Sequence, residues 1–343
     1  MKIRSSAPGR ICLYGEHQDY MGFPVIAAAI DLRITIEGQV SEGAEVMLEL
    51  SDLNETIRFS ADHFAYTREK DYFKSAIKVL KNQRLFQKKK IHGRVYSNIP
   101  IQAGTSSSSA LVVAWIGFLL RISGMGSSDV ISTEQIGELA YLAEVEEFGE
   151  SGGRMDQYCS AIGGIVHIDF HDPIRTTSLP LGVKKFVLGD SLQPKNTQKT
   201  LKRIRTGQEN GLKALKQFLE SDGFQVNYDE AQPYFNRVSA EYRSYLRGVL
   251  KNRYITAQAR EELQKIPPDP IKLASLMNQH HEVLRNDLNI STPKIENMIE
   301  SSMKAGALAA KINGSGEGGC MFAFCPGRQQ QVAEAIKSSG GTP

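Results

Sequence analysis

The residues best suited to chemistry lie in a few clusters, and the most suggestive is the stretch from Pro100 to Ala110, which contains Gly104-Thr105-Ser106-Ser107-Ser108-Ser109-Ala110 ahead of apolar Leu111 to Leu120. It reads as a loop running into a helix. Gly104 lets the backbone turn and approach a ligand closely, and the unpaired first-turn amides of the following helix suit a phosphate. Ser106 to Ser109 can cap that helix and can also offer hydroxyls to phosphate oxygens or Mg²⁺. A Ser-rich N-cap on a buried helix is the alternative reading, since Ser is a favoured cap in any protein.

A second cluster follows a short first strand, Ile3 to Ala7. Arg10, Glu16, His17 and Asp19 fall within ten residues, beside Gly9 and Gly15. A folded core seldom tolerates that density of ionisable groups without a task for them, although a turn with a local Arg–carboxylate pair would also explain it. A third group is acidic: Glu144 near the end of a helix from about Thr133 to Phe148, and Asp156 in a short helix after Ser151-Gly152-Gly153-Arg154. Those two acids are too far apart in sequence for one helical face, so only tertiary folding can join them. Read physically, an anion cradle at Gly104 to Ser109, a cation at Arg10 and acids at Glu144 and Asp156 propose phosphoryl transfer. The central loop matches neither G-x-x-x-x-G-K-[ST] nor a dinucleotide-type G-x-G-x-x-G, so a Walker-type ATPase and a Rossmann dehydrogenase are poorly supported.

The elements that must position these groups are strands at Val25 to Ile30, Leu32 to Val40, Val46 to Leu50, Thr56 to Phe59, Ile91 to Asn98 and Ile165 to Phe170, and a helix through Tyr72 to Leu80. From about Lys185 the pattern changes to amphipathic helices with few strands until Ala309, which puts a domain boundary there and gives domains 1–184 and 185–343. Pro267-Pro268-Asp269-Pro270 separates two helices, a helix spans Ile271 to Leu288, another spans Pro293 to Ala305, and a glycine cluster runs from Asn313 to Gly319. The tail after Ser338 is expected to fray. His280 and His281, adjacent on a helix, face different directions and read as a solvated or partly packed face.

Composition sets outer limits. The chain has 343 residues, 41% hydrophobic and 23% charged, enough for two globular domains. A formal charge of +3, from 41 Lys+Arg against 38 Asp+Glu, argues for neither a nucleic-acid nor a membrane partner. Cys12, Cys159, Cys320 and Cys325 lack metal-type spacing, and no signal-like or membrane-length apolar run occurs, so a cytoplasmic location is expected.

Taken together, the motifs resemble those of the GHMP kinases, and within them galactokinase and related sugar-1-kinases. Gly9-Arg10-Ile11-Cys12-Leu13-Tyr14-Gly15-Glu16-His17-Gln18-Asp19-Tyr20 resembles the galactokinase signature G-R-x-N-L-I-G-E-H-x-D-Y. Gly104 to Ala110 is similar to the phosphate loop G-L-S-S-S-A, and Gly314 to Cys320 to the third motif G-A-G-x-G-G-C. Met155-Asp156-Gln157, followed by Gly163-Gly164 and Ile168-Asp169, resembles the galactokinase segment with the catalytic aspartate. Cys12, Tyr14, Gln18 and Thr105 depart from the usual residues, and the segment from Asp222 to Asp269 matches no motif, which leaves the sugar open.

The resemblance implies an α+β fold of two domains, ribosomal-protein-S5-domain-2-like at the N-terminus and ferredoxin-like at the C-terminus, with the active site between them. It implies an ATP- and Mg²⁺-dependent kinase acting on the anomeric hydroxyl of a small-molecule sugar. Asp156 would take the hydroxyl proton, and Arg10 would orient Asp156 and stabilise the transferring group. Glu16, His17, Asp19 and Gly153 would bind the sugar. Gly104, Thr105, Ser106, Ser107, Ser108, Ser109, Ala110, Gly314 and Gly316 would bind ATP, and Ser108 with Glu144 would hold the metal. A monomer or weak homodimer is expected. The same family contains non-catalytic sugar and ATP sensors, a decarboxylase branch and kinases for acceptors such as mevalonate. Arg10 with Asp156 favours catalysis over sensing, and the run Glu16 to Tyr20 favours a sugar.

Overall fold

A computed structural model describes residues 2–100, 104–126, 130–180, 184–219 and 226–343. Residues 101–103 of the glycine–serine stretch and Asp222 lie outside them. The fold is α+β, and the chain divides into two compact units, each assembled from separated segments. The first comprises Met1–Arg10, Ala29–Ile101 and Ser106–Gly164, and the second Ile11–Ala28, Gln102–Thr105 and Ile165–Pro343.

Two long strands pass through both units: β1 (Lys2–Tyr14), which contributes its residues up to Arg10 to the first, and β2 (Val25–Ser41), which contributes from Ala29 onward. Both run further than their patterns suggest. Pro8 and Gly9 lie inside β1, and the exposed Asp31 inside β2 interrupts the apolar run without interrupting the strand. The first unit adds β3 (Glu45–Leu50), β4 (Glu55–Ser60), α1 (Tyr72–Asn82), β5 (Lys90–Ser97), α2 (Ser107–Ile122), α3 (Thr133–Glu144) and α4 (Met155–Ile162). Its strands lie in the order β4-β3-β5-β2, with β3 and β5 parallel and the outer pairs antiparallel. In β5 the alternation is clean: Ile91, Gly93 and Val95 are buried and Lys90, His92 and Arg94 are exposed.

Helix α2 is apolar on nearly every side, and it is buried accordingly. Trp115 stacks on Phe118 and donates its indole N–H to the Phe73 carbonyl at 3.0 Å, so the helix is held rigidly at the centre of the unit's core. That rigidity fixes the position of its N-terminus. Helix α3 starts with a capping box, Ser132 with Gln135, and stops at Glu144. The chain beyond it tightens into a 3₁₀ turn, Glu146–Phe148, closed by Gly149 in the left-handed region, so the helix is shorter than its apolar pattern.

The second unit contains the ends of β1 and β2 and adds β6 (Ile165–Asp169), β7 (Arg175–Leu179), β8 (Phe186–Asp190), α5 (Thr197–Lys216), α6 (Tyr228–Ala231), α7 (Ala240–Leu263), α8 (Pro270–Asn286), α9 (Pro293–Lys304), β9 (Ala309–Ile312), β10 (Cys320–Phe324) and α10 (Gln329–Ser338). Val25 to Ala28 pair antiparallel with β6, which pairs with β7. A separate antiparallel sheet has the order β8-β10-β9. Strand β7 escapes notice in the sequence because it is polar and largely exposed, with Leu179 its one buried residue. Pro270 and Pro293 open α8 and α9 beside the capping side chains of Asp269 and Thr292.

Two local expectations are overturned. His280 and His281 are buried, not solvated, because α8 packs against β9 and the end of β1: His280 accepts from the Glu16 amide at 3.3 Å, and His281 pairs with Glu296 at 3.0 Å. The tail does not fray after Ser338. Thr342 and Asp190 exchange backbone hydrogen bonds of 2.8 Å, which ties the terminus to the edge of β8.

Candidate active site

The first unit's part of β1 runs to Arg10, and α4 carries Asp156 in its first turn. The pair is bidentate: Arg10 Nε donates to Asp156 Oδ1 and Nη2 to Oδ2, both at 2.7 Å. Parallel N–H···O bonds of this kind fix a carboxylate in orientation as well as place. Arg10 is buried and Asp156 is partly open, with 28% of its side chain exposed, so the carboxylate is held from behind and remains accessible. Ser106, the residue before α2, donates its hydroxyl to Asp156 Oδ2 at 2.5 Å. Gly153 sits half-buried just before Arg154, the residue from which α4 starts.

Glu144, at the end of α3, is buried. Gln157 donates to its Oε2 at 2.7 Å, and Ser108 and Ser109 also hydrogen-bond to it. Burial raises its carboxyl above the ordinary range, those hydrogen bonds oppose the shift, and the charge of Asp156 adds to it. The two acids are therefore close enough to influence each other. Among the described residues Glu144 has no cationic partner. Ser106 makes no capping bond to α2, leaving the first-turn amides of Ser107, Ser108 and Ser109 without a side-chain cap.

In the second unit, Glu16 and His17 are tied to the turn after β9. Lys311 is fully buried; it forms an ion pair with Glu16 Oε2 and donates to the Cys12 carbonyl at 2.9 Å. Glu16 Oε1 accepts from the Gly314 amide. His17 uses both ring nitrogens, one with the Tyr20 hydroxyl and one with the Ser315 carbonyl, each at 3.1 Å. Burial holds its pKa down at about 4. Asp19 opens a 3₁₀ turn and is only half-buried.

Asn313 completes this arrangement by accepting from the Cys12 amide at 2.9 Å and donating to the Gly104 carbonyl at 2.8 Å. Gly104 has φ +90°, and a Cβ there would lie 2.9 Å from the Asn313 carbonyl oxygen. Gly314 has φ +77° and would place a Cβ 2.8 Å from the Gly104 carbonyl oxygen. Gly104 is thus demanded by the Asn313 backbone, and Gly314 by the Gly104 backbone. Thr105 is buried with its hydroxyl unpartnered among the described residues, and Gly316 lies in the turn after Gly314 at φ +80°.

A mevalonate kinase of Thermococcus sibiricus is 31% identical to this chain, covering 100% of this chain and 95% of the relative. Residues 71–164 match the GHMP kinases N terminal domain, 259–342 the GHMP kinases C terminal domain, and 2–40 the galactokinase galactose-binding signature. The chain belongs to the GHMP kinase family. A galactokinase of Mannheimia succiniciproducens is 25% identical, over 93% of this chain and 84% of the relative. The crystal structure of Lactococcus lactis galactokinase complexed with galactose has a TM-score of 0.80 at 21% identity, covering 98% of this chain and 90% of that one.

As a GHMP kinase the protein is an ATP-dependent phosphotransferase, and members of the family generally use Mg²⁺. The residues present fit that ion. A buried carboxyl without a cation, bonded to hydroxyls and an amide, suits a hard divalent ion that fills its remaining positions with phosphate oxygens and water. Among the described residues no group of three or more His, Cys, Asp or Glu is arranged as a protein-only metal cage, and no helix is long and apolar enough to cross a membrane.

Sequence reasoning missed Lys311, Asn313 and Gln157. Lys311 carried a readable signal, a lone lysine inside the apolar strand Ala309–Ile312. Asn313 and Gln157 stand beside motif residues, but no local pattern gives their partners, which lie 301 and 209 positions from Asn313 and 13 from Gln157.

Proposed function

We propose that this GHMP kinase transfers the γ-phosphoryl group of ATP to the anomeric hydroxyl of a monosaccharide. The reading is carried by the Arg10–Asp156 pair, a partly open carboxylate oriented by two parallel hydrogen bonds. Asp156 accepts the acceptor hydroxyl's proton as the new P–O bond forms and the bond from the γ-phosphorus to the bridging oxygen breaks, releasing ADP, and general-base help of this kind contributes about 10²–10⁴-fold. Arg10 holds Asp156 and offsets charge on the transferring group. Gly104, Thr105, the amides of Ser107 to Ser109, and Gly314 with Gly316 hold the nucleotide, whereas the Ala110 amide is already bonded to the Ser106 carbonyl at the start of α2. Ser108 and Glu144 hold Mg²⁺, which when bound neutralises charge developing on the phosphates.

The sugar assignment is supported by the match of residues 2–40 to a galactose-binding signature and by the partly exposed Asp19. Asp19 and Gly153 are the proposed acceptor contacts. Glu16 and His17 have their polar atoms engaged within the second unit. We assign them to holding the turn at Gly314 and Ser315.

A second reading has its own observation. The 31% identity to a mevalonate kinase spans the whole chain and favours mevalonate as acceptor. An ATP-consumption screen with Mg²⁺ over free sugars and (R)-mevalonate separates the two, with phosphorus NMR locating the phosphate. A sugar 1-phosphate supports the first reading and phosphomevalonate the second. Tight nucleotide and sugar binding with no turnover would replace both with a sensor.

A further inference from the structure

Ser106 is the residue of the phosphate loop whose geometry that function does not explain. It precedes α2 at φ 60° and ψ 45°, the left-handed region, where a side chain other than glycine or a short polar residue is unfavourable. A serine at the start of a helix ordinarily sits in extended backbone and accepts a bond from a first-turn amide. Ser106 does neither. Its conformation instead carries the hydroxyl to Asp156 Oδ2 at 2.5 Å, while the side chain itself is buried. Strain of this type persists where surrounding structure enforces it, and it gathers at functional sites.

Asp156 is consequently bound from two sides. Arg10 engages both oxygens, with Nε 2.7 Å from Oδ1 and Nη2 2.6 Å from Oδ1 and 2.7 Å from Oδ2, and the Ser106 hydroxyl adds a third donor on Oδ2. Three donors fix the plane of the carboxylate, and Ser106 is the one supplied by the loop before α2.

We infer that Ser106 is a positioning residue for the base, coupling the phosphate loop to Asp156, and that its hydroxyl does not act as a nucleotide ligand. This rests on Asp156 being the base. It makes the loop a two-sided device: the amides after Ser106 face the phosphates, and the Ser106 side chain faces the group that activates the acceptor. The strained backbone is retained because a relaxed N-cap would turn the hydroxyl away from Asp156.

The test compares Ser106→Ala, Ser106→Gly and Asp156→Asn with the wild-type enzyme, using MgATP with a panel of free sugars and (R)-mevalonate. Alanine and glycine both remove the hydroxyl, but only alanine keeps the backbone strain. The expected result is a kcat lowered by at least about tenfold and to a similar extent in both, an ATP KM within about twofold of wild type, and a higher melting temperature for glycine than for alanine. In the Asp156→Asn background, Ser106→Gly should produce little further loss, since residues acting as a unit are not multiplicative. If kcat instead follows melting temperature across the two variants, the role is merely structural and the inference is overturned. A raised ATP KM at unchanged kcat overturns it in favour of a nucleotide contact. Should Asp156→Asn keep wild-type kcat, or the panel show no turnover, the underlying assignment of the base falls and takes this inference with it.

Discussion

Lys311 and Glu16 form an ion pair in which the side chains are 0% and 2% exposed. Lys311 also lies 5.0 Å from the Phe322 ring centroid, and the far oxygen of Glu16 receives the Gly314 amide. Desolvating two charges is expensive, so such a pair contributes less to net stability than to geometry, whereas leaving one member alone is severe. Glu16→Gln and Lys311→Met should each destabilise the protein by about 3–5 kcal/mol, and the double variant by much less than their sum. Urea denaturation of the four proteins measures this. Single variants as stable as wild type would mean the pair does not hold the turn.

Gly104 and Gly149 both have positive φ, +90° and +62°, but only Gly104 has neighbours where a side chain would go. Gly149→Ala should lose about 1–2 kcal/mol from backbone conformation alone. Gly104→Ala should lose more, because its Cβ would meet the Asn313 carbonyl at 2.9 Å, and nucleotide affinity should fall with it. Melting curves paired with nucleotide titration check both parts. Equal destabilisation would show that the contact yields without penalty.

Glu144→Gln should separate stability from metal binding. Burial raises the folded carboxyl's pKa above its unfolded value, so above the unfolded pKa the ionised side chain weakens the free protein. The neutral amide should therefore leave the metal-free protein at least as stable at pH 7 while raising the Mg²⁺ concentration needed for activity by about tenfold or more. Thermal melts in chelator and a Mg²⁺ titration of rate supply the two measurements. A lower melting point without any change in Mg²⁺ requirement would remove Glu144 from the metal site.

Acid should unfold the protein partly through its buried histidines. His17 has a folded pKa near 4, below the ordinary 6.5, and His280 is also lowered by burial. Between those values the unfolded chain binds more protons than the folded one, so stability is complete above about pH 6.5 and declines as pH falls toward 4. His17→Asn should flatten that decline in denaturation midpoints collected from pH 7 to pH 4.5. An unchanged slope would mean that other groups control it.

The sequence by itself determined the chemistry-bearing segments and most of the elements around them. Gly104 to Ala110 lies where a strand pattern gives way to an apolar helix, and the helical spacing of Tyr72 to Leu80 matches α1. Those features are local: periodicity, capping residues and turn residues act over a few positions and can be read without the rest of the chain. The same locality misled at His280 and His281, whose helix face is decided by β9 and β1, and at the tail, whose order depends on Asp190.

What only the tertiary structure decided is which polar atom meets which. Arg10 and Asp156 are 146 positions apart, Glu16 and Lys311 are 295 apart, and Cys12 and Asn313 are 301 apart. No periodicity connects such pairs. A carboxylate left partly open and one neutralising a buried lysine look alike in sequence, since Asp156 and Glu16 are both acidic residues within a few positions of a glycine. Burial distinguishes them: Asp156 keeps 28% of its side chain open, and Glu16 keeps 2%. That difference arises from how strands and helices remote in the chain exclude water around each carboxylate, a property the linear order of residues does not contain.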